Sequence, residues 1–129
     1  MVEAVAVHAR YDTALIDHTD DGVERVITRR EYNETFDQTA PEVELSDAAT
    51  YLWDWYFDID ARVGRVSDGV CRPIPPSEWL AWAHLTGHVV YRWEFAILAA
   101  MDLSYCQALN SEFSDRSFRR AEKAKTGKR

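Results

Sequence analysis

His84 and His88 are four residues apart, the spacing at which two imidazoles on one helix can share a metal ion. Thr86-Gly87 stands between them, and a helix-ending glycine there would turn the second ring away, so no metal is expected. Asp54, Asp58, Glu94 and Asp102 could supply a carboxylate pair for acid–base work, yet they fall on different helices and no spacing forces them together. Neither a Gly-x-Ser-x-Gly elbow nor a phosphate-cradling glycine loop occurs. Cys71 and Cys106 show no CxxC spacing and no secretory context, which predicts neither a disulfide framework nor a zinc site. No catalytic residue and no cofactor is therefore assigned, and the chain is expected not to be an enzyme. Asp102 has two readings: an exposed helix acid, or a half-buried one that caps or hydrogen-bonds a facing helix.

The elements that must position these residues are clearest in the second half. Residues 74–105 read as a helical hairpin in outline: a proline entry, two aromatic-rich helical patterns and a Thr-Gly break. Ser77 is expected as N-cap, Glu78 suits the positive helix start, and Trp79, Trp82 and Ala83 share one face. In the following helix Val90, Trp93, Ile97, Ala100, Met101, Ser104 and Ala108 recur at three- and four-residue steps and predict its buried stripe. Upstream, Ser46 and Asp47 signal a helix start, after which Leu52, Trp55, Tyr56, Ile59 and Val63 form a stripe that Trp53 and Phe57 widen. The loop 64–76 contains Gly69 and the prolines that stop a helix from running through. Residues 1–40 resist assignment. They carry an acidic turn signal at residues 18–22, and Thr28-Arg29-Arg30-Glu31 matches a capping box that predicts a short helix through Phe36.

A chain of 129 residues, 47 % hydrophobic, suits one modest core rather than a deep catalytic cleft. No apolar run is long enough to span a bilayer, and the first residues resemble no signal peptide, so a soluble cytoplasmic protein is expected. Charge is polarised. Residues 1–60 hold 15 acidic and 4 basic side chains, residues 61–110 hold 4 of each, and residues 111–129 hold 3 acidic and 7 basic. The acidic leading half argues against nucleic acid as the main partner, leaving only the basic tail from Arg116 onward. With no large apolar residue after Phe118, that tail is expected to fray.

All five tryptophans, at 53, 55, 79, 82 and 93, lie in three short helical segments. Each indole removes roughly 150–250 Å² from water when buried. A three-helix domain of this size cannot readily hide five, which predicts that some face a partner. Trp79, Trp82 and Trp93, with Leu52, Tyr56 and Ile97, are expected to join the hairpin to the preceding helix. Trp53, Trp55 and Tyr91 are the candidates for partner contact, and Trp79 is carried as a fourth.

The order Leu52-Trp53-x-x-Tyr56-Phe57, then Pro73-Ile74-Pro75-x-x-Glu78-Trp79-x-Ala81-Trp82-x-x-Leu85-Thr86-Gly87, then Trp93-Glu94-x-Ala96-Ile97 and Met101-Asp102-x-x-Tyr105, resembles the small tail assembly chaperones of long-tailed phages and prophages. The resemblance covers residues 51–109. Arg92 stands where family members often have proline, and Trp79 where they have an aliphatic residue; the leading 45 residues fall outside it. The resemblance implies a non-enzymatic chaperone that binds the tape measure protein, helps recruit tail tube subunits, acts in several copies in the host cytoplasm and is absent from the mature virion.

Together these readings predict an all-α fold with three main helices near residues 47–63, 77–86 and 91–115. An acidic, poorly ordered or weakly helical arm (1–45) precedes the helical chaperone domain (46–115), and a basic tail (116–129) follows it. The alternative is a helical adaptor or regulatory protein that uses the tail on nucleic acid.

Overall fold

In the computed structural model, which describes residues 1–20 and 22–127, the stretch that resists assignment from periodicity is folded. Helix α1, Val2–Tyr11, buries Val5 and Ala9 against the long C-terminal helix. Strands β1, Ala14–Asp20, and β2, Val23–Thr28, follow as an antiparallel hairpin with Asp17 opposite Val26 and a register shift between Ala14 and Ile16. Gly22 adopts φ 79°, the left-handed conformation a tight hairpin demands; Asp21 of the expected turn lies outside the described residues. Thr28 and Glu31 close the capping box that starts α2, Arg29–Thr35: Glu31 N–H donates to Thr28 Oγ1 at 3.1 Å, and Thr28 N–H donates to the Glu31 carboxylate at 3.3 Å.

The three expected helices are present with altered ends. Ser46 starts a 3-10 turn, Asp47–Ala49, through its carbonyl rather than its hydroxyl, and α3 spans Thr50–Arg62. Helix α4, Pro76–Thr86, has Pro75 rather than Ser77 at its N-cap, because Pro76 fits the first helical position, where no N–H is needed. Gly87, at φ 74°, ends it in a left-handed cap. Helix α5 runs Arg92–Thr126, eleven residues past the expected end. Between α3 and α4 lies a second hairpin, β3, Val66–Ser67, and β4, Val70–Cys71; Asp68 and Gly69 both take positive φ, as a type I′ turn requires.

The fold is therefore not purely all-α with three helices. Among the described residues, five α-helices and the 3-10 turn make it 63 % helical, and two antiparallel hairpins contribute 13 % strand. Nor are residues 2–35 a loosely ordered arm, since Val5, Ala9 and Leu15 join Leu52, Tyr56, Ile59, Trp79, Trp82, Leu98, Met101 and Leu109 in one buried cluster. Polar contacts reinforce this packing. Arg29 donates to buried Glu112 of α5 at 2.8 Å, and Arg30 holds Asp12 with two nitrogens at 2.8 and 3.3 Å.

The basic segment stays helical because acid from the leading half meets it. Arg116 and Arg120, one turn apart on α5, both hydrogen-bond Asp17 of β1, at 2.9–3.3 Å and 3.0–3.1 Å. These bonds hold the Asp17 carboxyl well below its usual 3.8. Because the folded value is depressed, the linkage stabilises the docked α5 end above about pH 4 and is lost as pH falls through the lower folded value. Protection of the amides of residues 116–126, taken relative to the intrinsic exchange rate at each pH, is expected to fall in acid in the native chain. With Asp17→Asn that protection should be low already at pH 7 and respond little to acid; equal protection of both chains at pH 7 would contradict the clamp.

Candidate functional site

Of the four carboxylates that could have done chemistry, Asp58, Glu94 and Asp102 are used to hold the fold. Asp102 is buried on α5 and accepts from Tyr56 Oη of α3 at 2.9 Å, from Ile74 N–H at 2.7 Å and from Arg65 Nη1. Arg65, itself buried, also donates to Tyr56 Oη at 2.9 Å and to Asp60 at 2.6 Å. Burial pushes the Tyr56 phenol far above its ordinary range, so it remains a neutral donor. Of the two readings of Asp102, the bond to a facing helix is the one the structure contains. Glu94, also buried, accepts from Tyr51 Oη at 2.6 Å and from Tyr91 N–H at 2.9 Å. Asp58 accepts from Trp82 Nε1 at 2.8 Å and from Arg62 at 3.0 Å, bonds that lower its carboxyl. Asp54 is exposed on another face of α3.

His84 lies exposed on α4, whereas His88, past the left-handed Gly87, stacks on Trp82 with ring centroids 5.0 Å apart and meets Trp55 at 4.8 Å. Its backbone N–H donates to Ala83 at 3.0 Å, closing the helix end.

The four residues expected to contact a partner do not form one patch. Trp53 turns toward α1, edge-on to His8 at 5.6 Å and against Phe57 at 4.8 Å. Trp55, on another flank of α3, packs on Tyr51, Trp82 and His88. Trp79 is only 5 % exposed, between Tyr56, Trp82 and Phe95. Tyr91 is exposed at the start of α5, where its N–H is the group that Glu94 caps. Trp82 is buried as expected, but Trp93 corrects the core assignment, because it is 58 % exposed. Turning Glu94 inward to meet Tyr51 and Tyr91 sets the phase of α5 and leaves Trp93, about 100° away around the helix, outside. The buried stripe of α5 accordingly runs Glu94, Leu98, Met101, Asp102, Tyr105 and Leu109, not Trp93, Ala100 and Ser104.

Close to Tyr91 and Trp93 in sequence, further large apolar side chains are exposed. Leu80 and Leu85 of α4 are 74 % and 83 % exposed, and Val89 in the turn projects as well. These three were not singled out from sequence, although positions 80 and 85 lie off the Trp79/Trp82/Ala83 face that was read as buried. Next to them a groove of about 410 Å³ runs between α4 and the start of α5, lined by Trp79, Leu80, Ala83, His84, Val90 and Phe95 among others. Among the described residues no cluster of three or more His, Cys, Asp or Glu could hold a metal, and no helix is long and apolar enough to cross a membrane. What the corner presents is exposed hydrophobic area.

A family model described as phage tail assembly chaperone matches residues 29–107. The chain belongs to that family. No curated protein and no solved structure is matched. The match begins well before residue 51, where the recognisable aromatic spacing starts, and takes in the whole of α2. In this tail assembly chaperone the quoted motif residues divide by direction. Tyr56, Trp79, Trp82, Glu94, Asp102 and Tyr105 build the interior, while Leu85 and Trp93 face outward.

Proposed function

We propose that this tail assembly chaperone covers an apolar helical segment of the tape measure protein with the α4–α5 corner. It would do so during tail assembly in the host cell, and would help bring tail tube subunits to the covered chain. One observation carries the reading: Leu80, Leu85, Val89, Tyr91 and Trp93 are exposed within fourteen consecutive positions, although the adjoining Trp79, Trp82 and Glu94 are buried. An extended tape measure chain displays apolar stripes until the tube surrounds it, and a helix laid in a groove is the standard way to cover such a stripe. The protein acts by binding rather than catalysis. Release before completion of the virion suits a moderate apolar centre with a polar rim, and several copies on one client gain avidity without strong single contacts.

Tyr91 belongs to this corner, with Trp79 lining its groove and Trp55 at its edge through His88. Trp53, covered by α1, would serve a second flank. Leu85→Asp combined with Trp93→Ala is expected to weaken co-precipitation of the tape measure protein roughly 30-fold, the scale of a lost hot spot, with the melting temperature unchanged. Undiminished capture by that variant would remove the corner from consideration, and loss with Trp53→Ala and Trp55→Ala alone would move the contact to α3. The nucleic-acid reading is disfavoured by Arg116 and Arg120, which are engaged by Asp17 inside the chain. Steeply salt-dependent DNA binding, abolished by deleting residues 116–129, would revive it.

A further inference from the structure

Cys71 ends the short β3–β4 hairpin, Cys106 sits mid-way along α5, and both thiols are buried. Their sulfurs are 3.2 Å apart, across 35 residues of sequence. No function described above uses them. We propose that the two thiols are a modification site: a hydroperoxide converts them into an intramolecular disulfide that ties β4 to α5. Closing the gap to a bonded distance of about 2.05 Å requires a shift of roughly 1 Å, which a hairpin of two residues per strand can make more readily than a helix.

The surroundings assign the roles. The Cys106 thiol hydrogen-bonds Cys71 and, with the Arg65 guanidinium nearby, holds the Cys71 thiol below the usual range, whereas the same contact, burial and Asp102 push Cys106 up. Arg65 Nη1 lies 3.5 Å from Cys106 Sγ, and Asp102 Oδ1 lies 3.9 Å from it. Cys71, on the two-residue strand that can move out to meet the peroxide, is the first nucleophile. Its thiolate attacks the peroxide oxygen, the O–O bond breaks, and the departing alkoxide takes the thiol proton as an alcohol, leaving Cys71 sulfenic acid. Cys106 sulfur then attacks the sulfenic sulfur, the S–O bond breaks, and hydroxide leaves with the Cys106 proton as water. Two electrons pass from the sulfurs to the peroxide, and one S–S bond results.

Access to the pair is gated by Asn110, whose side chain imitates a neighbouring strand: it accepts from Cys71 N–H at 2.7 Å and donates to the Cys71 carbonyl at 3.0 Å. Breaking those two bonds frees the hairpin and bares the sulfurs. Once formed, the bond would keep the loop that leads into α4 seated on α5.

The full chain is to be treated with tert-butyl hydroperoxide, denatured, alkylated with iodoacetamide and weighed intact. The expected product is a monomer lacking two hydrogens, refractory to alkylation until reduced, with a Cys71–Cys106 cross-linked peptide after digestion. Its melting temperature should rise by on the order of 10 °C before reduction. Asn110→Ala should speed the reaction several-fold, and Cys71→Ser should block it. Peptide mapping of the unmutated chain keeps the test valid if either variant folds poorly. Two alkylatable thiols after treatment, a disulfide-linked dimer, or sulfinic acid at one cysteine would each overturn the proposal.

Discussion

Asp102→Ala is expected to lower folding stability by about 3–5 kcal/mol, the range for removing one partner of a buried ion pair. The magnitude follows from what is left behind. Tyr56 Oη, Ile74 N–H and Arg65 Nη1 lose their shared acceptor inside the core, and Arg65 loses its buried countercharge while keeping Asp60 at 2.6 Å, Tyr56 Oη at 2.9 Å and long contacts to the Arg72 carbonyl and Cys106 Sγ at 3.5 Å. The damage extends beyond the pair, because Asp102 is where α3, the loop before α4 and α5 meet. Asp102→Asn retains an oxygen for Ile74 and Tyr56 but removes the countercharge, and about 1–3 kcal/mol is expected. Urea unfolding followed by circular dichroism measures both. A change below about 0.5 kcal/mol for the alanine variant would mean that desolvation already cancels the network. Replacing Arg65 and Asp102 together with apolar residues is expected to recover much of the loss, since the apolar pair has no charge to strand.

Trp82→Ala should cost a similar amount, about 3–5 kcal/mol, by a different mechanism. The indole is 5 % exposed and sits at the junction of three elements, against Trp55 at 5.9 Å, Trp79 at 6.3 Å and the stacked ring of His88 at 5.0 Å. Truncation leaves a cavity that α4, pinned by the Pro76 start and the Gly87 cap, cannot collapse to fill. It also deprives Asp58 of the N–H at 2.8 Å, although Arg62 remains bonded to that carboxylate. Trp82→Phe separates the two effects, since it keeps much of the packing and loses only the N–H; about 1–2 kcal/mol is expected. Trp93→Ala, on the exposed side of α5, should shift stability by no more than about 0.5 kcal/mol. If Trp82→Ala proved as mild as Trp93→Ala, the centre of the core would have to lie elsewhere.

These two residues show how differently parts of the chain could be read. Trp82 announced itself, because the three-residue spacing of Trp79 and Trp82 beside a proline entry points into a core. Asp102 stayed ambiguous: an acid on a helix is usually exposed, and the partners that bury it come from α3 and from a loop with no periodicity of its own. The phase of α5 was misjudged for the same reason. Apolar pattern alone favoured Trp93, Ala100 and Ser104, whereas the buried side includes three carboxylates, Glu94, Asp102 and Glu112, that no hydrophobic stripe contains. That Trp53 meets His8 of α1 could not be foreseen, because α1 has only Val5 and Ala9 to signal a buried side. The β1–β2 hairpin was missed despite the Asp-Gly pair in the sequence, since among its described residues Leu15 alone is buried and alternation is weak.

What the amino-acid order determined by itself was local. The Thr28–Glu31 capping box, the proline entry to α4, the left-handed stop at Gly87 and the aromatic spacing that marks the family all depend on atoms within a few positions of one another. Tertiary structure alone decided which carboxylates are consumed, which tryptophans are hidden, and that Cys71 meets Cys106. It also brought Asp17 to Arg116 and Arg120 across 99 and 103 residues. The physical reason is that backbone caps and turns satisfy their own polar groups nearby, whereas a buried charge or thiol takes its partner from whatever packing presents, and packing joins segments whose separation leaves no trace in local pattern.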